Sequence, residues 1–162
     1  MSAVIKVDKS RIKLCNGVEI NPIEFGGRIQ SYLELQDRII LHLYHNTRYS
    51  KPNYNIYRNI FCYSKQDGHL IWQIEQPYGR DHQPLEAVYK YINLKVKQKD
   101  GTYDYAHESI QHGDRIWGKV YLKPFRYGVD KLEAMTLAEY PSEYWVDYET
   151  GKVEWFAIHQ KI

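Results

Sequence analysis

The sequence predicts an all-β protein: two four-stranded antiparallel meanders packed as a sandwich-like body, with N-terminal edge strands. Three observations carry this. Short runs of β-branched and aromatic residues alternate with turn dipeptides such as Asn16-Gly17, Asp67-Gly68 and Asp100-Gly101. Tyrosine, a strand-favouring residue, occurs 16 times against 4 Phe and 2 Met. The segment from Asn59 to Ile74 reads as a hairpin, with Asp67-Gly68 in the turn and Trp72 four residues beyond Gly68. A later echo, Tyr144 to Ile158, places Gly151 in the turn and Trp155 at the same offset. Val153, Trp155 and Ala157 then take the places of Leu70, Trp72 and Ile74, three residues that share one face because successive side chains alternate.

In chain order, Ala3–Val7, Arg11–Cys15 and Val18–Ile20 are short strands, the last two joined by Asn16-Gly17. They should add to the edges of the larger sheets. The first meander spans 27–76. Arg28–Leu35 opens it, with Ile29, Leu33 and Leu35 on one face. Arg38–His45 is apolar on both faces and therefore central. Tyr57–Tyr63 and His69–Ile74 complete it. The connection 45–58 is long for a hairpin and carries Arg48, Lys51 and Arg58 with no acid. Pro77 and Pro84 bracket a polar loop. The second meander spans 87–158 with an insertion near 102–130. From Val88 onward alternation puts Val88, Ile92, Leu94 and Val96 on one face and Tyr89, Tyr91, Asn93, Lys95 and Lys97 on the other. Arg115–Leu122 reads as a strand within the insertion. Lys131–Glu139, Tyr144–Tyr148 and Lys152–Ile158 follow.

The length of 162 residues fits one domain, 1–162, able to bury a core without metal or disulfides. With 22 basic and 20 acidic residues, whole-chain charge makes no case for nucleic acid or membrane. No apolar run approaches the ~18 residues of a membrane span, and the opening residues lack the apolar stretch of a signal peptide. A soluble cytoplasmic protein is expected. Cys15 and Cys62, both in strand-like apolar surroundings, are expected as buried free thiols.

A meander whose last turn reads D/T-G-x-h-x-W resembles a blade of a quinoprotein-like β-propeller. The residues that carry it are Phe61, Tyr63, Asp67, Gly68, Leu70 and Trp72, then Trp145, Val146, Thr150, Gly151, Val153 and Trp155. The likeness covers about two blades, and closed propellers have ~4–8. Two such blades cannot close a ring, so the resemblance implies packing face to face. The cofactor and metal ligands of quinoprotein enzymes have no counterparts to place, and no cofactor is expected. The same segments, with Val146 to Val153, also resemble small uncharacterised bacterial proteins similar to toxin-immunity proteins. That resemblance implies a non-enzymatic, protein-binding role.

Among the residues themselves, Arg48, Tyr49, Tyr54, Tyr57, Arg58, Tyr78 and Arg80 are the candidate partner contacts, since tyrosine and arginine dominate binding hot spots. The same exposed tyrosines suit a homodimer interface equally well. The alternative is a single-stranded nucleic-acid or nucleotide surface of Tyr89, Tyr91, Lys95 and Lys97, by stacking and phosphate contact. A third reading, a hydrolase, needs His107, His112 and Asp114 to converge in a pocket. No metal site is expected. His42 and His45 lie three apart on one strand and so face opposite ways. Asp81-His82 beside Arg80 has acid–base character, but in a polar loop it reads first as surface.

Overall fold

The structure is a computed structural model that describes residues 4–7, 11–22, 28–35, 37–44, 54–97, 103–105, 131–137 and 141–158. The described chain is all-β, with three antiparallel sheets. β1 (Val4–Val7), β2 (Ile12–Leu14) and β3 (Glu19–Ile20) form the first. The second is a plain meander of β4 (Ile29–Glu34), β5 (Arg38–Leu43), β6 (Ile60–Ser64) and β7 (Leu70–Gln73). The third runs in the order β12-β11-β10-β8-β9, built from β8 (Tyr89–Lys97), β9 (Tyr103–Tyr105), β10 (Lys131–Thr136), β11 (Ser142–Val146) and β12 (Val153–Ile158). No helix among the described residues is long and apolar enough to cross a membrane. The strand read at Arg115–Leu122 lies outside the described residues.

The first meander has its four expected strands, while the second sheet has five, because β9 within the insertion pairs with the free edge of β8. The β6–β7 and β11–β12 hairpins turn at the expected glycines. Gly68 and Gly151 adopt φ of 78° and 75°, where a Cβ is sterically penalised. The two meanders pack face to face over one core. Leu33, Leu35, Ile40, Ile60, Cys62, Trp72 and Ile74 meet Tyr89, Ile92, Leu132, Ala134, Tyr144, Val146 and Val153. A second core lies on the other side of the first meander, where Ile39, Leu41, Leu43, Phe61 and Tyr63 meet Ile12, Leu14 and Ile20. The molecule is thus three layers deep, and β5 and β6 are buried on both faces because they form the middle one. The N-terminal strands pair only with one another and cover a face of the first meander instead of extending an edge. Their alternation, Ile12 and Leu14 inward with Arg11, Lys13 and Cys15 outward, gives the stack a solvated outer surface. Cys15 is therefore exposed, correcting its expected burial, while Cys62 is buried.

Three bulges redirect side chains that simple alternation misplaces, since an extra residue reverses the facing beyond it. Register slips between Ile29 and Ser31, so Ile29 packs on the N-terminal side, away from Leu33 and Leu35. It slips again where Tyr63 pairs with Leu70 and Cys62 with Trp72. Leu70 is left 39% exposed, and Trp72 turns into the core between the meanders. Trp155, paired with Tyr144, looks into the same core from the opposite side. The two tryptophans therefore share a core, face each other's sheets, and differ in depth: Trp72 is buried and Trp155 half-buried. The third slip, between the Met135–Tyr91 and Thr136–Tyr89 pairs, turns Tyr89 inward to full burial.

Buried polar groups join the meanders. The amide of Asn59 accepts from Tyr89 N–H at 2.9 Å and donates to Tyr89 O at 3.0 Å and Leu43 O at 3.3 Å. His42, 2% exposed, places Nε2 2.8 Å from the same Tyr89 carbonyl. Such satisfied networks fix one arrangement of layers.

Candidate binding site

The crossover between the meanders, residues 75–88, folds into a small hairpin of its own. Tyr78 and Pro84 form an antiparallel bridge. Gly79 N–H donates to Gln83 O at 2.9 Å, and Leu85 N–H to Pro77 O at 2.8 Å. At the tip, His82 N–H donates to Gly79 O at 2.8 Å, and Asp81 Oδ1 accepts from Gln83 N–H at 3.1 Å. His82 has φ of 64°, the one non-glycine residue with positive φ among the described residues. Residues Arg80 to Pro84 are all exposed.

Tyr78 braces this hairpin. Its hydroxyl donates to Val153 O at 2.8 Å and accepts from Trp155 N–H at 3.3 Å. Its ring stands edge-on to Tyr144 at 5.8 Å and stacks with His82 at 5.4 Å. The Tyr144 hydroxyl donates to Tyr78 O. Burial raises the Tyr78 phenol above its ordinary pKa and pushes that of Tyr144 up to about 12, so both remain protonated donors. Gln76 Nε2 donates to Leu85 O at 3.1 Å, and the Tyr89 hydroxyl to Glu75 O at 2.8 Å.

The end of the long β5–β6 connection lies alongside. Asn55 caps a short 3-10 turn, Ile56–Arg58, through Oδ1 to Tyr57 N–H at 3.0 Å, and its Nδ2 donates to Gln76 Oε1 at 3.3 Å. The two loops proposed from sequence therefore meet. Tyr57 is half-buried, and Arg80 stands at the tip of the hairpin.

The other proposed contacts fare differently. Arg58 is turned inward, with Nε donating to Ile74 O at 2.8 Å and a terminal nitrogen to Gln73 O at 3.2 Å. Gln73 Nε2 returns a bond to Arg58 O at 2.9 Å. This arginine clamps β7 and is not offered to a partner. Tyr54 is only 7% exposed, its ring 6.0 Å from Phe61 in the N-terminal core, so it too is no surface contact. Arg48 and Tyr49 lie outside the described residues. Asp81 and His82 are exposed, as the polar loop implies, and they share the hairpin tip with Arg80. The Pro77–Pro84 bracket was the available signal.

The proposed nucleic-acid face does not assemble as read. Tyr89 is fully buried, because of its bulge, and cannot stack on a base. Tyr91 is half-buried, with its hydroxyl 3.3 Å from Glu133 Oε1 and 3.6 Å from Met135 Sδ. Lys95 and Lys97 lie on β8, and their side chains are outside the described residues. So are His45, His107, His112 and Asp114. Burial pushes the Cys62 thiol up to about 12, which leaves it protonated and unreactive. Comparison with family models, with curated proteins and with solved structures gave no match.

Proposed function

We propose that the protein is a non-enzymatic protein-binding module of the bacterial cytoplasm, an immunity protein that neutralises a toxin by occlusion. The observation that supports this reading is the braced crossover hairpin. It holds Arg80, Asp81 and His82 in solvent on a backbone fixed by its own Tyr78 and Gln76, by Tyr144 of the second meander and by Asn55 of the β5–β6 connection. A rigid, exposed loop binds well because little ordering entropy remains to be lost on association. A nucleic-acid role draws less support, since Tyr89 and Tyr91 are engaged within the sheet.

The test reads the neighbouring gene for a toxin domain and titrates the protein with that domain by calorimetry; a neighbourhood without one removes the immunity reading. Binding should occur, and Arg80→Glu should weaken it about thirtyfold, the scale of a hot-spot contact of about 2 kcal/mol. The circular-dichroism spectrum and melting temperature should not change. Undiminished binding by Arg80→Glu would remove the hairpin from the interface. Binding of the wild-type protein to single-stranded oligonucleotide at low salt, with none to the toxin domain, would replace the proposal with the nucleic-acid reading.

A further inference from the structure

Asn16-Gly17, in the turn between β2 and β3, is the one Asn-Gly pair in the chain. Both residues are exposed. A glycine after asparagine leaves the way open for a reaction within the chain. Its backbone nitrogen carries no side chain beside it to block approach to the asparagine carboxamide. At Gly17 even a Cβ would meet nothing within 4 Å. Water and space are therefore both present at this turn.

In the folded chain the groups that would react are all engaged. Gly17 N–H donates to Leu14 O at 3.0 Å. Asn16 Oδ1 accepts from Val18 N–H at 3.1 Å, which makes an Asx turn. Asn16 Nδ2 donates to Lys65 O at 3.2 Å, in the β6–β7 turn of the first meander. That last bond ties the carboxamide to a different layer of the molecule. Gly68 of the same turn packs on the hairpin too, since a Cβ there would lie 3.0 Å from a Val18 methyl and 3.3 Å from Glu19 O. Strands of three and two residues have little stability alone. The hairpin therefore keeps this geometry only while it is docked.

We propose that Asn16 is a deamidation site gated by undocking of the β2–β3 hairpin, and that the reaction then makes undocking easier. In the undocked hairpin the Gly17 nitrogen loses its proton and bonds to Asn16 Cγ. The Cγ–Nδ2 bond breaks, and ammonia leaves with that proton. Water then opens the cyclic imide at one of its two carbonyls, which restores the Gly17 N–H and leaves aspartate or isoaspartate. Either product carries a carboxylate in place of the carboxamide, so no donor remains for Lys65 O. The chain thus keeps a one-way mark of how often its N-terminal layer has opened.

The test is peptide mass spectrometry after incubation of the full chain at mildly alkaline pH. Trypsin cuts after Lys13 and Arg28, and the peptide between them holds one other asparagine, Asn21. Asn21 precedes Pro22, whose nitrogen has no proton to lose, so it serves as an internal control. Conversion at Asn16 should be slower in native buffer than in denaturant by about tenfold or more, because only the opened fraction reacts. Leu14→Ala, in the N-terminal core, should bring the native rate closer to the denatured one, and Val153→Ala, in the core between the meanders, should not. Asn16→Asp keeps the acceptor for Val18 N–H and loses only the donor to Lys65 O. Its Leu14 amide should exchange hydrogen about fivefold faster than in the wild type, the effect of one ordinary hydrogen bond. Should Leu14→Ala fail to fold, the native-against-denatured contrast and the exchange of Asn16→Asp decide. Equal conversion in native buffer and denaturant, equal acceleration by the two core variants, or unchanged exchange in Asn16→Asp overturns the proposal.

Discussion

At the scale of single residues, Gly151 shows how a turn and a core constrain the same atom. A Cβ there would lie 2.6 and 2.8 Å from two indole carbons of Trp72 and 3.2 Å from Gln73 O. Gly68 has nearly the same φ, but its Cβ would meet a movable Val18 methyl at 3.0 Å. Each Gly→Ala change carries a left-handed penalty of about 1–2 kcal/mol. Gly151→Ala should add a further ~1–3 kcal/mol of overpacking against a flat, confined ring. Urea titration of the two variants should therefore give a clearly lower midpoint for Gly151→Ala, and equal midpoints would show that Trp72 yields. The cysteines offer a second residue-level contrast. Cys15 is exposed, and Cys62 is buried and held protonated. A thiol reagent at mildly alkaline pH should label Cys15 alone in the folded protein and both residues in denaturant. Rapid labelling of Cys62 without denaturant would contradict its burial. Alternation with the inward Ile12 and Leu14 puts Cys15 outside, whereas Cys62 lies on β6, which is covered on both faces.

At the scale of elements, the β11–β12 turn is held onto the first meander by two donors to one carbonyl. Arg38 and Trp72 Nε1 each reach Tyr148 O at 2.7 Å, and the Arg38 guanidinium also lies 4.7 Å from the Tyr148 ring centre. Asp37 completes the clamp with bonds of 3.1 and 3.0 Å to Arg38. Its carboxyl is held below the ordinary value of 3.8, first by the hydrogen bond from Arg38 and also by that residue's charge. A depressed folded pKa stabilises the fold at pH above the unfolded value, and that contribution is lost as pH falls through the folded one. Acid unfolding of Asp37→Asn should accordingly show a shallower loss of stability below pH 3.8 than the wild type. Identical acid limbs would mean that the pair contributes nothing, as many exposed pairs do. Strand positions were legible at this scale because hydrophobic period and turn dipeptides agree. The facings of Ile29, Leu70 and Tyr89 were not. A bulge depends on how a neighbouring strand pairs, and one slipped residue reverses every later side chain.

For the whole molecule, turn dipeptides and alternation made the two meanders legible, and their face-to-face packing followed from the resemblance to propeller blades; Leu33, Ile40 and Trp72 meet in that shared core. The third layer was hidden. Burial on both faces of Arg38–Leu43 signals that each side is covered, without saying by what. The candidate site was half legible for the same reason. Pro77 and Pro84 mark its hairpin, but the brace from Tyr78 to Val153 joins residues far apart in the chain. Deleting residues 1–22 should uncover Ile39, Leu41, Leu43, Phe61 and Tyr63 together. The truncated protein should bind a hydrophobic dye and aggregate at concentrations where the full chain stays clear. A well-behaved truncation with an unchanged melting temperature would contradict the role given to this layer. Being the middle leaf has a consequence for biosynthesis. By the time the ribosome has released residue 76, the N-terminal sheet and the first meander can already close on each other. Their far side, with Ile40, Ile60 and Ile74, must then wait for strands still being translated. That nascent intermediate exposes an oily flank, and it is the stage at which a chaperone would have most to hold.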